Sequence, residues 1–159
     1  MISKKSEIRF LEALLVVSIS LLPFVMNKRP RKKWMIIYLY SAVTNVIMDK
    51  ILTHYELISY PTRLFPKIFR IHILFDTLLY PLANVIYNQI AKKDKILVIL
   101  YKSIYFSVPL LIVETWAERN TGLIKWGNAW RGYHTFLGVN FNTLFTRLIV
   151  VRIYRRLCK

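Results

Sequence analysis

Apolar residues along this chain come in long blocks rather than in amphipathic stripes. Blocks at about 8–26, 34–53, 72–91, 96–117 and 133–151 carry few charges, and each is roughly 17–22 residues long, near the ~20 that a helix needs to cross ~30 Å of hydrocarbon. The pattern predicts an all-α fold: a polytopic membrane helix bundle of about five transmembrane helices. Four spans is the main alternative, with the first or last helix only dipping into the interface. The fifth block is the weakest, because Asn140, Asn142 and Arg147 lower its apolarity. Pro23, Pro81 and Pro109 fall inside blocks, as a membrane bundle tolerates when neighbours satisfy the freed carbonyls.

Two segments break the pattern. In 54–71, Arg63, Lys67 and Arg70 recur at i, i+4, i+7 and Leu64, Phe65, Ile68 and Ile71 take the other face. That spacing predicts a short interfacial amphipathic helix lying in the headgroup plane. Segment 118–132, with Trp126, Trp130 and three glycines, reads as an irregular interfacial loop. The five blocks leave no room for a soluble domain, so residues 1–159 form a single membrane domain.

Charge changes the picture next. The net charge is +16, from 24 Lys+Arg against 8 Asp+Glu. The basic residues flank the apolar blocks, as orienting and headgroup-binding charges do, and this argues against nucleic acid as a partner. The partners expected are the lipid bilayer and anionic lipid headgroups, with Arg63, Lys67, Arg70, Trp126 and Trp130 as the interfacial candidates. A homo-oligomer or a membrane-protein partner is compatible with the small size. Loop 27–33, loop 92–95 and the tail 152–159 hold twelve Lys/Arg against nine on the other side. The positive-inside rule then puts the N-terminus outside and the C-terminus in the cytoplasm of a cell membrane. The basic N-terminus and first apolar run lack a small-residue cleavage pattern after Leu22, which predicts an uncleaved first helix. Cys158 is the one cysteine, so no internal disulfide is possible; a plain thiol is expected there.

Each of the first four blocks holds one acidic residue inside it: Glu12, Asp49, Asp76 and Glu114. A charge at mid-membrane costs about 2.5–3.5 kcal/mol. With alternating helix directions, all four fall on one side of the bilayer, about one turn below its surface. Other polar residues share faces with them: Tyr38 and Asn45 with Asp49, Tyr80 and Asn84 with Asp76, Ser103 and Ser107 with Glu114, and Asn140, Thr143 and Arg147 on the last helix. These stripes are expected to meet in the bundle interior. One reading is structural: Arg9, Lys50, Arg70, His72 and Arg119 pair with the acids and lock helix register. The other is a hydrated acidic vestibule for protons, a cation or a small basic solute. The three histidines, His54, His72 and His134, lack metal-ligand spacing, and there is no P-loop, G-x-S-x-G or dinucleotide fingerprint. No metal, cofactor or catalytic residue is therefore assigned.

The run Tyr60-Pro61-Thr62-Arg63-Leu64-Phe65-Pro66-Lys67, then Phe75-Asp76 and Pro81, and the acidic–Trp loop from Glu114 to Trp126 resemble a family of small multi-pass membrane proteins of endospore-forming Gram-positive bacteria. The likeness covers roughly residues 50–159. It implies a bacterial cytoplasmic or spore membrane, and supplies no catalytic residue. The function expected is that of a non-enzymatic membrane protein, structural or partner-binding, with a layer of buried carboxylates. The alternatives are a small transporter or channel subunit using those carboxylates for protons or cations, and a membrane enzyme acting on lipid headgroups through Glu114, Glu118 and His134.

Overall fold

The computed structural model describes residues 3–92 and 94–157; Cys158 lies outside them. Five helical stretches make up nearly all of it. The first two are α1 (Lys4–Met26) and α2 (Arg31–His54). Residues 73–90 are continuously helical, with a π-helical turn at Phe75–Leu79 leading into α3 (Tyr80–Ile90). Then come α4 (Ile96–Asn120) and α5 (Gly132–Leu157). Two short strands, β1 (Ile58–Ser59) and β2 (Lys125–Trp126), pair antiparallel across the two long loops, Ile58 opposite Trp126.

The fold is all-α, as the block pattern predicts, but three helices rather than five are long and apolar enough to cross a membrane: α1, α2 and α4. The physical reason lies in the packing. The helix over 73–90 sits inside the bundle against α1 and α2, and Pro81, Leu82, Asn84, Val85, Tyr87 and Asn88 are buried. A helix shielded by its neighbours need not be apolar, so Asp76, Asn84, Asn88 and Gln89 lower its hydropathy without facing lipid. The outer helices are the reverse. Val16 and Phe24 of α1, Leu39 of α2, and Leu97, Tyr105 and Ile112 of α4 stand more than half exposed. An apolar girdle of that extent is compatible with a membrane location.

Pro81 explains the π-helical turn. It has no N–H to give the carbonyl of Thr77, and its ring crowds that carbonyl. The Tyr80 N–H bonds back to Phe75 O instead. The Tyr38 hydroxyl, reaching over from α2, donates to Thr77 O at 2.7 Å. A neighbouring helix thus supplies the donor that the proline withholds.

Segment 54–71 does not form the interfacial helix that its basic spacing predicts. Beyond the end of α2 it is strand, turns and coil. Pro61 and Pro66 interrupt any helix there, and Glu56 and Phe65 adopt φ of 56°. The Arg63 guanidinium donates to the carbonyls of Phe69 (2.7 Å), Tyr60 and Pro66, and so holds the loop's shape. Lys67 and Arg70 are exposed, beside Phe65 and Ile68, which are 58% and 72% exposed. That tip keeps the amphipathic character without the helix.

The two long loops close one end of the bundle together. Beyond the β1–β2 pair, Gly127 N–H donates to Leu57 O (2.8 Å) and Thr62 N–H to Gly122 O (2.7 Å). Gly122 N–H in turn donates to the buried Glu7 carboxylate of α1 at 2.7 Å.

Candidate functional site

Beneath this cap lies the acidic layer. Asp49, near the end of α2, accepts a hydrogen bond from the Tyr60 hydroxyl at 2.6 Å through Oδ1. Asp76, in the π-helical turn, accepts from Asn45 Nδ2 at 2.7 Å. Asn45 and Asp49 lie one turn apart on α2, so Asp76, held by Asn45, sits beside Asp49. Asp49 and Asp76 are 6% and 3% exposed, and neither Oδ2 has a donor among the described residues. His72 is 2% exposed, packs edge-on against Tyr60 (5.5 Å between centroids) and Phe75 (4.6 Å), and has neither ring nitrogen partnered. Tyr60 lines an open cleft of about 480 Å³ together with Thr53, Glu56, Arg63 and Arg70. Burial, reinforced by the neighbouring Asp49, pushes its phenol well above the usual range, so it stays a donor at any neutral pH.

Glu114 closes the layer from α4. Its Oε1 accepts from Trp126 Nε1 (3.0 Å) and Thr135 Oγ1 (2.8 Å), tying α4 to the second loop and to α5. Trp130 joins there: its indole N–H donates to Thr135 Oγ1 at 3.1 Å and its ring stacks on His134. The two tryptophans are therefore internal clasps as much as interfacial residues. His134 Nδ1 accepts a hydrogen bond from the Arg131 N–H.

Glu12 is a correction. It is exposed on α1 and takes no place in the layer; Glu7, five residues earlier, is the buried acid. The acid–base lock is a second correction. Arg9, Lys50, Arg70 and Arg119 are all exposed, and Asp49, Asp76, Glu114 and Glu7 take hydrogen bonds from Tyr60, Asn45, Trp126 with Thr135, and a main-chain N–H. In a low-dielectric interior these neutral donors avoid the cost of desolvating a cation as well.

Below the layer the polar side chains interlock across the bundle. Tyr80 meets Thr143 at 3.5 Å. Asn84, fully buried, donates to Ser41 Oγ (2.8 Å) and Thr146 Oγ1 (3.4 Å), joining α3 to α2 and α5. Asn88 donates back to Asn84 O at 2.9 Å. Arg147 then donates to the carbonyls of Asn88 (3.2 Å) and Ala91 at the end of α3. A side branch joins α4 to α5, where Ser103 Oγ bonds Asn140 Oδ1 (2.5 Å) and Asn140 Nδ2 donates to Ser107 Oγ (2.8 Å). Asn45, Asp49, Asp76, Asn84, Asn140 and Arg147 thus all face the interior. Tyr60, Ser41 and Thr146 complete the network and were not singled out by periodicity. The first lies in a loop, where no helical face marks it, and the others read as ordinary small polar residues.

Fold and interior together define a class: an α-helical protein with three helices suited to a membrane and a polar, hydrogen-bonded core. No family model, curated protein or solved structure matches the chain, so the reading of its role rests on the geometry alone.

Proposed function

We propose that this is a five-span integral membrane protein without catalytic chemistry, serving as a structural or partner-binding component. Its polar column holds the bundle together, and its two-loop cap forms a shaped face at one membrane surface. The observation that carries this reading is the interlocking at Asn84, where one buried amide bonds two other helices. Buried interhelical hydrogen bonds of this kind stabilise membrane bundles by about 0.6 kcal/mol each. In the proposed arrangement the helix over 73–90 and α5 cross as well, roughly 27 Å and 39 Å long at 1.5 Å per residue. The N-terminus lies outside and the C-terminus in the cytoplasm, the basic loops 27–33 and 92–95 meet anionic headgroups, and the bacterial setting follows the family resemblance.

A second reading, proton or cation transport, draws support from the buried polar side chains that follow one another along the helix, Asp76, Asn84 and Asn88, with Arg147 beyond them. Liposomes holding the purified protein and a pH-sensitive dye separate the two. A proton gradient across them decays at the rate of empty vesicles if the column is structural. Faster decay, abolished by Asp76→Asn, would instead establish the transport reading.

A further inference from the structure

We propose that Asp49 and Asp76 hold one proton between their Oδ2 atoms, making a buried proton-binding site approached from the Tyr60 cleft. The hydrogen-bond inventory carries the argument. Each Oδ1 is already taken, by Tyr60 at 2.6 Å and by Asn45 at 2.7 Å. Among the described residues each Oδ2 is buried without a donor, and Asn45, which holds Asp76, lies one turn from Asp49 on α2, so the two carboxyls are neighbours. Ionised carboxylates only accept. Two of them in contact repel, whereas one proton converts the contact into a short charge-assisted O–H···O bond. Both orphaned acceptors are then satisfied at once.

The surroundings fit a proton better than a metal. Among the described residues no group of three His, Cys, Asp or Glu is placed to hold an ion. The charged and titratable groups around the pair come from three elements: Glu114 of α4, whose carboxylate accepts from Trp126 and Thr135; Arg63 of the first loop, which lines the Tyr60 cleft; and His72, which packs edge-on against Tyr60. Tyr60 connects cleft and pair, its ring lining the one and its hydroxyl bonded to the other. Exchange with bulk water therefore runs from one end of the bundle.

Asparagine tests this, because its amide carries the missing donor permanently. In Asp76→Asn the amide oxygen keeps the bond from Asn45 and the amide NH₂ faces Asp49; Asp49→Asn does the same in mirror image. Each single variant should melt in detergent at or above the wild-type temperature. The double variant sets two NH₂ groups face to face and should melt well below it, a loss larger than the two single effects combined. Infrared spectra provide the second readout, which also serves if the double variant does not fold. The wild type should show a protonated-carboxyl C=O band that shifts in D₂O, diminished in both single variants. Single variants as unstable as the double, or a band unchanged by either substitution, would overturn the shared proton. Neither result depends on whether the column conducts, so the structural reading stands or falls separately in the liposome experiment.

Discussion

Arg147→Ala lowers the stability of the folded protein by about 2–3 kcal/mol, the range for hydrogen bonds made by a charged donor. The guanidinium is 8% exposed and donates to Asn88 O and Ala91 O. These carbonyls belong to the last turn of α3, where no further helical N–H follows to satisfy them. A cation there also complements the negative end of the helix dipole. Ala removes both donors and leaves a void between α5 and α3. Arg147→Lys retains the charge but not the two-pronged geometry, and recovers only part of the loss. Thermal melting in detergent measures the difference, and amide hydrogen exchange should quicken first over Tyr87–Ala91. Wild-type melting in Arg147→Ala would mean that the carbonyls find other donors and that the residue is not a cap.

Gly127→Ala is expected to open the cap. A Cβ at this position would lie 2.4 Å from Glu56 O and 3.2 Å from Leu57 O, both main-chain atoms with no rotamer to yield. One loop must move off the other, so the 2.8 Å bond from Gly127 N–H to Leu57 O and the β1–β2 pair are lost together. Overpacking costs of this kind run to about 1–3 kcal/mol. The same substitution at Gly138, where nothing lies within 4 Å, removes no contact and serves as the control. Hydrogen exchange over Leu57–Ser59 should rise in the first variant and not in the second.

How far the fold could be read from the residues depended on what each helix faces. α1, α2 and α4 turn apolar side chains to the outside, so block hydropathy found them with their ends to within a few residues. The helix over 73–90 was found as a block, yet its interior position was not legible, because burial among helices and burial in lipid leave different compositions that a window average blends. Segment 54–71 misled for a definite reason. The i, i+4, i+7 spacing of Arg63, Lys67 and Arg70 outweighed Pro61 and Pro66, although two prolines six residues or fewer apart leave no room for a stable turn between them. Alternating helix direction correctly grouped Asp49, Asp76 and Glu114 at one end. It could not tell Glu7 from Glu12, because which face of α1 meets Gly122 is decided by the second loop. Tyr60 was hidden for the same reason: the contacts that bury it are tertiary.

The proposal that all five helices cross, with the polar α3 shielded inside, is tested most directly by sidedness. In a Cys158→Ser background, single cysteines at Ser59 and Lys95 report the two ends of the helix over 73–90, and one at Arg29 reports the α1–α2 loop. With an impermeant thiol reagent applied to one side of sealed vesicles, Ser59→Cys should label from one face, and Lys95→Cys and Arg29→Cys from the other. Labelling of Ser59→Cys and Lys95→Cys from the same face would mean that this helix does not cross, and that the polar column is not the interior of a five-span bundle.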